Sequence, residues 1–502
     1  MKILLTHSYF LKLDIKQYQA QTPYPPLATL YAAAFLRKNN FDVSFFDTQF
    51  CNSGKDIVEV LKKIKPNLFV ICDDSFNYLS KMCLTNMRDA AFEMQRIAKQ
   101  NGCKVVVSSS DAADNYEKYL NEEGADFVIS GETEQTLLEL ACYLEKDNKQ
   151  FDEIKGLIYK KNNTTIKTTS RPLMKDLDQL PYPAWDLVDI SSYKKIWQKK
   201  HGYFSINLVT TRGCPFKCNW CAKPVYGNRY NSHSPGYIVG LIEYLQQKFE
   251  FDHIWFADDI FGLKPGWLKE FADLMKKNQI EISYKIQSRA DLLLEEENIK
   301  YLSQSGCETV WMGAESGSEK ILDAMDKGIT VEQIYDAVEK LKQQKIKPSL
   351  FLQFGYPGET MEDISLTIKM VNKLVPEDIG ISVSYPLPGT KFYEKVKNEL
   401  DQKANWKDSD DLDLMFKNTF SHLFYKQLHR YIHKSYRGRQ SLNVFKNFIL
   451  FSNKDHVSLK RLFGFPFYFA GAYREKLKLK KLGPKLPDNF FKLNPLEPEI
   501  KI

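Results

Sequence analysis

At 502 residues, with 43% hydrophobic and 26% charged side chains, the chain exceeds what one core accommodates and predicts two to four ordinary globular domains. No apolar run approaches the roughly 18 residues that cross a bilayer, and MKILLTHSYFLKLD starts with too short an apolar stretch for a secretory leader, so a cytoplasmic location is expected. The net charge of +7 is uneven: residues 426–485 carry 15 Lys and Arg against Asp455 and Glu475, which leaves the remainder at −6.

The first 145 residues alternate strand and helix. Strand-like runs are KILLTHS (2–8), FDVSFFDT (41–48), LFVICDD (68–74), KVVVSSS (104–110) and DFVISGE (126–132). Helical patterns separate them, among them PLATLYAAAFLRKNN (26–40) and KMCLTNMRDAAFEMQRIAKQN (81–101). Five buried-type strands with crossover helices predict a doubly wound, Rossmann-like or flavodoxin-like parallel sheet over 1–147. Ligands on such sheets bind at the strands' carboxyl ends. Those ends carry His7–Ser8, Asp47–Thr48, Asp73–Asp74–Ser75, Ser108–Ser109–Ser110–Asp111 and Gly131–Glu132. No G-x-G-x-x-G follows the first strand and no P-loop is present, which excludes the usual pyrophosphate cradle.

Residues 148–200 read as a connector containing a short hairpin, GLIYKKNNTTIKTT. A second series follows over 201–400: SINLVTTRG (205–213), HIWFADDIF (253–261), ISYKIQSR (282–289), TVWMGAES (309–316), KPSLFLQFGYPG (347–358) and DIGISVSYPLPG (378–389). Six strand–helix units predict a partial (β/α)6 TIM-type barrel, an α/β fold. Residues 401–502 read as mostly helical and basic.

Nine cysteines occur, six of them singly; an odd, scattered set is not a disulfide framework. Cys214, Cys218 and Cys221 are different, because they fall within eight residues just after the first barrel strand. Soft thiolates select zinc, copper(I) or iron–sulfur clusters. Zinc closed by these three and His233 is one alternative, but C-x-x-x-C is a poor zinc hook. A four-iron cluster held by three cysteines would keep one iron open.

The C-x-x-x-C-x-x-C pattern resembles the radical S-adenosylmethionine (SAM) enzymes, in which that open iron binds SAM and one electron cleaves it to a 5′-deoxyadenosyl radical. The resemblance extends in order along the strand ends. It implies SAM contacts from Trp220 on adenine, from Asp258 and Asp259 of FADD (256–259), and from Ser288–Arg289. It also implies contacts from Glu315 and Ser316 of GAESGS (313–318), and from Gly355 and Gly358 of FGYPGE (354–359).

The N-terminal half sharpens this. YPPLATLYAAAFLRKNNFDVSFFD, GETEQTLLELA and DLDQLPYPAWDL resemble the cobalamin-binding members, which include the anaerobic magnesium-protoporphyrin ester cyclases and carbon methyltransferases. The first domain would then hold cobalamin, with Ser108, Ser109, Ser110 and Glu132 at the crevice. Histidine is absent from residues 8–200 and SSSDAAD (108–114) replaces a histidine loop, so the cobalamin should be base-off without a histidine ligand. A cobalamin-fold relic is the alternative.

The resemblance implies methylation of an unactivated carbon, with cobalamin-dependent radical oxidative cyclisation or rearrangement as one alternative and a non-catalytic iron–sulfur/cobalamin binding or sensor protein as another. It also implies an electron donor such as flavodoxin or ferredoxin. A second cysteine triad, as methylthiolation would need, is missing. No side chain is required as acid or base; Tyr226, Arg229 and His233 are candidates for substrate contact or proton handling, with packing as each one's alternative. At the C-terminus, RLFGFPFYFAGAYREKLKLKKLG (461–483) sets aromatics against Arg474, Lys476, Lys478, Lys480 and Lys481. That pattern suits peripheral contact with an anionic membrane or a lipid-linked substrate; the rival is that its aromatics pack onto the barrel. No nucleic-acid motif accompanies the charge.

Overall fold

The computed structural model describes residues 1–482 apart from 83, 224, 296, 401, 402, 404 and 452–461. The expected C-terminal region therefore falls partly outside the described residues, at 452–461 and 483–502.

Five parallel strands open the chain: β1 (Lys2–Thr6), β2 (Asp42–Phe46), β3 (Leu68–Cys72), β4 (Lys104–Ser108) and β5 (Phe127–Ile129), in the order β2-β1-β3-β4-β5. Strand alternation sends Ile3, Leu5, Val70 and Val106 to one face and Leu4, Phe69, Val105 and Val107 to the other. Helices cover both faces, so the central strand LFVIC is buried at every position. The hairpin expected in the connector does not lie there. Its strands β6 (Leu157–Lys161) and β7 (Thr164–Lys167) pair antiparallel beyond β5 and make the sheet seven-stranded. Leu157, Ile158 and Tyr159 explain this, because only a sheet edge gives those three apolar residues a buried place.

The second sheet contains β8 (Ser205–Leu208), β11 (His253–Phe256), β12 (Ser283–Ser288), β13 (Cys307–Glu315), β14 (Lys347–Phe354) and β15 (Asp378–Val383). All pairs are parallel, in the order β15-β14-β13-β12-β11-β8, and the edges β8 and β15 do not meet. It is an open half-barrel. Thr330 and Thr360 start two of its outer helices with capping boxes to Gln333 and Asp363.

The run SINLVTTRG breaks after Leu208 instead of forming one strand. Thr211–Arg212 (β9) turns aside to pair antiparallel with Asn231–Ser232 (β10), so the intervening loop, cysteines included, is clamped at both ends. One apolar core runs through both sheets. The helices His422–Phe451 and Phe465–Leu482 pack antiparallel: Gln427 and Lys434 reach Glu475, and Gly438 faces the Phe469 ring. The longer helix lies against the start of β15, where Tyr436 donates to the Pro376 carbonyl at 2.8 Å.

Candidate functional site

The cysteine loop leaves β9 through Gly213, whose φ is +82° and where a Cβ would lie 2.1 Å from the Arg229 carbonyl oxygen. Only glycine fits that turn. Cys214 is buried beside Ile260 and Leu292, while Cys218 and Cys221 are half-buried; all three are free thiols. Burial pushes the Cys221 thiol up to about 12, although Lys223 pulls the other way, and burial likewise raises Cys214. The charge of Cys218 is felt at both, so the three thiols share one neighbourhood. Cations ring it. Arg289 Nη1 lies 3.8 Å from Cys218 Sγ, and the fields of Lys81 and Lys327 reach Cys221 and Cys218. Thiols held protonated this way must release protons to a metal, and the cations would offset the resulting thiolate charge. This donor set fits an anionic cluster.

Among the described residues, no group of three or more His, Cys, Asp or Glu is gathered to hold a single metal ion. His233 does not join the cysteines as the zinc alternative required. It is buried, holds Asp178 through Nδ1 at 3.0 Å and stacks on Tyr237 at 4.0 Å.

The strand-end residues divide into those already engaged and those open. Asp258 is engaged: it accepts from Thr210 N and Oγ1, both at 2.7 Å, and from Thr211 N and Oγ1 at 2.7 and 3.0 Å. It fastens the turn that starts the loop, although burial still lifts its pKa to about 7. Asp259, next to it, is exposed and pairs with Lys81 of the first domain at 2.8 Å. Arg289 grips Asp291 and the Lys327 carbonyl, with its guanidinium over the Phe216 ring at 3.7 Å. Glu315, at φ +57°, pairs with Lys327 at 2.8 Å, and Ser316 meets Thr367 at 3.1 Å. Gly355 (φ +76°) gives its N–H to Glu359 at 2.8 Å, and a Cβ there would crowd Leu414 at 3.0 Å. Gly358 (φ +85°) has open space at its Cβ position. Trp220 presents a buried Nε1 without a partner, a donor available beside Cys221.

At the first sheet, Asp73, Asp74, Ser75, Ser108, Ser109 and Ser110 line a crevice to which Val225 of the cysteine loop also contributes. Ser108 bonds Thr133 at 2.6 Å, and Ser109 caps the helix Ser110–Asp114 through Ala112 N at 3.0 Å. Glu132 does not face this space. Its carboxylate accepts from Arg212 at 2.9 Å and from Met174 N at 2.6 Å, because Arg212, two residues before Cys214, is buried between Glu132 and Glu134. His7 is also turned away, with Nε2 on Asp47 at 2.8 Å.

The proposed catalytic candidates separate. Tyr226 bridges the two domains, 2.6 Å from Ser75 Oγ and beneath the Arg212 guanidinium at 5.2 Å. Arg229 is exposed, and His233 is a packing residue. Sequence reasoning missed Lys81, Lys327 and the Arg212 clasp, since all three act across long separations in unexceptional runs.

Residues 208–371 match the Radical SAM superfamily. The chain is 29% identical to an uncharacterized methyltransferase of Pyrococcus horikoshii over 82% of this chain and 87% of that protein. It is 24% identical to the anaerobic magnesium-protoporphyrin IX monomethyl ester cyclase of Rubrivivax gelatinosus, over 75% and 67% respectively. The radical SAM methyltransferase TsrM of Kitasatospora setae, solved with cobalamin and a [4Fe-4S] cluster, superposes with a TM-score of 0.65 at 17% identity, covering 79% of this chain and 74% of that one. The cobalamin-dependent radical SAM enzyme OxsB superposes at 0.72 with 16% identity, covering 96% and 73%. At these identities the two structures establish the shared fold.

Proposed function

We propose that this chain, which carries a radical SAM domain, is a cobalamin-dependent radical SAM enzyme that methylates an unactivated carbon. The observation that carries the reading is the clamped loop that places three free cysteines within eight residues among Arg289, Lys81 and Lys327. Cys214, Cys218 and Cys221 would hold the cluster. Trp220, Arg289, Glu315, Ser316, Gly355 and Gly358 would receive SAM, with Asp259 beside them once Lys81 yields it; Asp258 keeps the loop seated. The hydroxyls at 108–110 would take polar groups of cobalamin, and Arg212 would hold that domain over the loop. When bound, the cluster supplies the electron that cleaves SAM and cobalamin supplies the methyl group. In this division, residues 1–167 carry cobalamin, 201–400 form the radical barrel, and a flavodoxin- or ferredoxin-type protein delivers electrons.

Anaerobic reconstitution with SAM, a reductant and hydroxocobalamin tests the reading. Formation of 5′-deoxyadenosine with S-adenosylhomocysteine supports methyl transfer. Deoxyadenosine without S-adenosylhomocysteine, from protein that retains cobalamin, moves the reading to the cyclisation that the cyclase relative makes the second candidate. Protein that binds no cobalamin leaves the cobalamin-fold relic and removes methyl transfer.

The C-terminal hairpin supports peripheral membrane contact. Ala472, Glu475 and Leu479 pack inward, and Phe469 seats on Gly438 of the partner helix rather than on the barrel. Phe463, Phe467 (76% exposed) and Tyr473 face outward near exposed Arg474, Lys478 and Lys481. Each such cation contributes about 1 kcal/mol near an anionic bilayer. No helix among the described residues is long and apolar enough to cross a membrane. Co-sedimentation with phosphatidylserine vesicles at low salt, lost at high salt, is the expected result; no binding at low salt would remove this contact.

A further inference from the structure

Alternation on the half-barrel sorts its side chains into two sets. Val310, Met312, Leu350 and Leu352 are buried in the apolar core, whereas Trp311 and Phe351, one residue out of phase, lie on the concave face and stay half-buried. Their rings stack at 4.6 Å and 26° and belong to no apolar core cluster. Gly380 makes room for them, since a Cβ there would stand 3.1 Å from Phe351 and 3.3 Å from Trp311. Two residues before Phe351, the buried Ser349 hydroxyl has no hydrogen-bond partner.

The same face carries Lys285, paired in register between Trp255 and Thr309. Its ammonium lies 5.2 Å from the Trp255 ring centre and 5.5 Å from that of Tyr24. The other enclosed cations of this barrel all have carboxylates: Lys327 has Glu315, Arg289 has Asp291, and Arg212 has Glu132 and Glu134. Among the described residues Lys285 has none, and only burial shifts it, down to about 8, which keeps it cationic at neutral pH. A half-buried charge without a counter-ion has lost part of its hydration with nothing to replace it, so an anion arriving from outside would be favoured there. Upward along β13 the wall thins to backbone at Gly313, where a Cβ would fall 2.6 Å from Lys327 Nζ. At about 3.3 Å per residue, Lys285 sits roughly 10 Å below the end of β12, where Arg289 meets Cys218.

We infer that this concave face seats the substrate, an amphiphile with one acidic group whose charge pairs with Lys285 and whose apolar body lies on Trp311 and Phe351. Its far end then points at the cysteine loop. The assignment rests on the radical reading above, and it names a substrate class: a carboxylic acid or phosphate monoester with a flat or elongated apolar body.

Binding of dodecanoate, dodecyl phosphate and dodecanol to the reconstituted full chain, by equilibrium dialysis below micelle formation, tests it without turnover. The native protein should prefer an anion over dodecanol by about tenfold or more, a difference of about 1.4 kcal/mol, and the better of the two anions identifies the headgroup. Lys285→Met should erase that preference and keep dodecanol binding, which also shows that the variant is folded; Lys285→Arg should restore it. Trp311→Ala should weaken all three ligands. Anion binding that persists unchanged in Lys285→Met, as adsorption to the basic C-terminal hairpin would, overturns the assignment, and so does native protein with no anion preference. Either result leaves the radical reading standing, whereas native protein that binds dodecanoate yet never cleaves SAM defeats only that reading.

Discussion

At the carboxyl ends of the first sheet most of the polar side chains already have partners, whereas at the mouth and floor of the half-barrel several do not. Ser108 holds Thr133, Ser109 caps a helix, Asp73 takes Ser8 N and Oγ, and Asp74 takes Ala28 N. The half-barrel instead offers three thiols outside any disulfide, with long contacts of 3.8 Å at Cys218 and Cys221, an unpartnered Trp220 Nε1 and a Lys285 with no carboxylate among the described residues. A ligand entering the first crevice must exchange internal hydrogen bonds for its own, with little net gain per bond. A ligand at the second supplies partners that are missing, and each one gained removes a desolvation penalty. The second region should therefore depend steeply on single side chains, and the first on shape.

The sharpest break of that contrast is at the thiols. Cys214→Ala, Cys218→Ala or Cys221→Ala should each abolish 5′-deoxyadenosine formation and most of the reconstituted iron. Next comes Arg212→Met, which strands Glu132 and Glu134 in the interface; unpairing a buried ion pair costs about 3–5 kcal/mol, read as a lowered urea midpoint, and Arg212→Lys should recover part of it. In the first crevice, loss of a single hydroxyl should matter less than loss of space. Ala113→Phe, which fills the crevice without touching its hydrogen bonds, should weaken hydroxocobalamin retention by roughly tenfold, about 1.4 kcal/mol, while Ser110→Ala changes it little.

The smallest effect belongs to the C-terminal hairpin. Hydrogen bonds from Lys434 and Gln427 hold Glu475 down to about 2, against 4.5 ordinarily. A depressed carboxylate stabilises the fold above its ordinary pKa, and that contribution fades as pH falls from 4.5 towards 2. Hydrogen exchange in the helix Phe465–Leu482, corrected for its intrinsic pH dependence, should quicken over that window, and Glu475→Gln should remove the response.

Much of the architecture was legible because both sheets bury continuous or alternating apolar runs that only strands explain. The hairpin GLIYKKNNTTIKTT was legible as a hairpin, but its place at the sheet edge was not, since it pairs with β5 through backbone bonds that no side-chain pattern records. The loop carrying Cys214, Cys218 and Cys221 was singled out by their spacing, and the clamp of β9 and β10 around it is seen only in the fold. The work of Asp258 was hidden, because it depends on Thr210 and Thr211 lying opposite it, 48 and 47 residues away. Glu132 was placed at the right strand end, but its direction is decided by Arg212 on the other domain. Lys285 read as an ordinary strand residue; only the missing carboxylate distinguishes it, and a missing partner has no signature in one dimension.

The most direct test is iron, sulfide and 5′-deoxyadenosine measured on the same anaerobically reconstituted full-length chain. The account predicts about four iron and four sulfide per chain, together with reductive SAM cleavage that disappears when any of the three cysteines is replaced. Stoichiometric zinc in place of iron, or a complete cluster that never cleaves SAM, would contradict it.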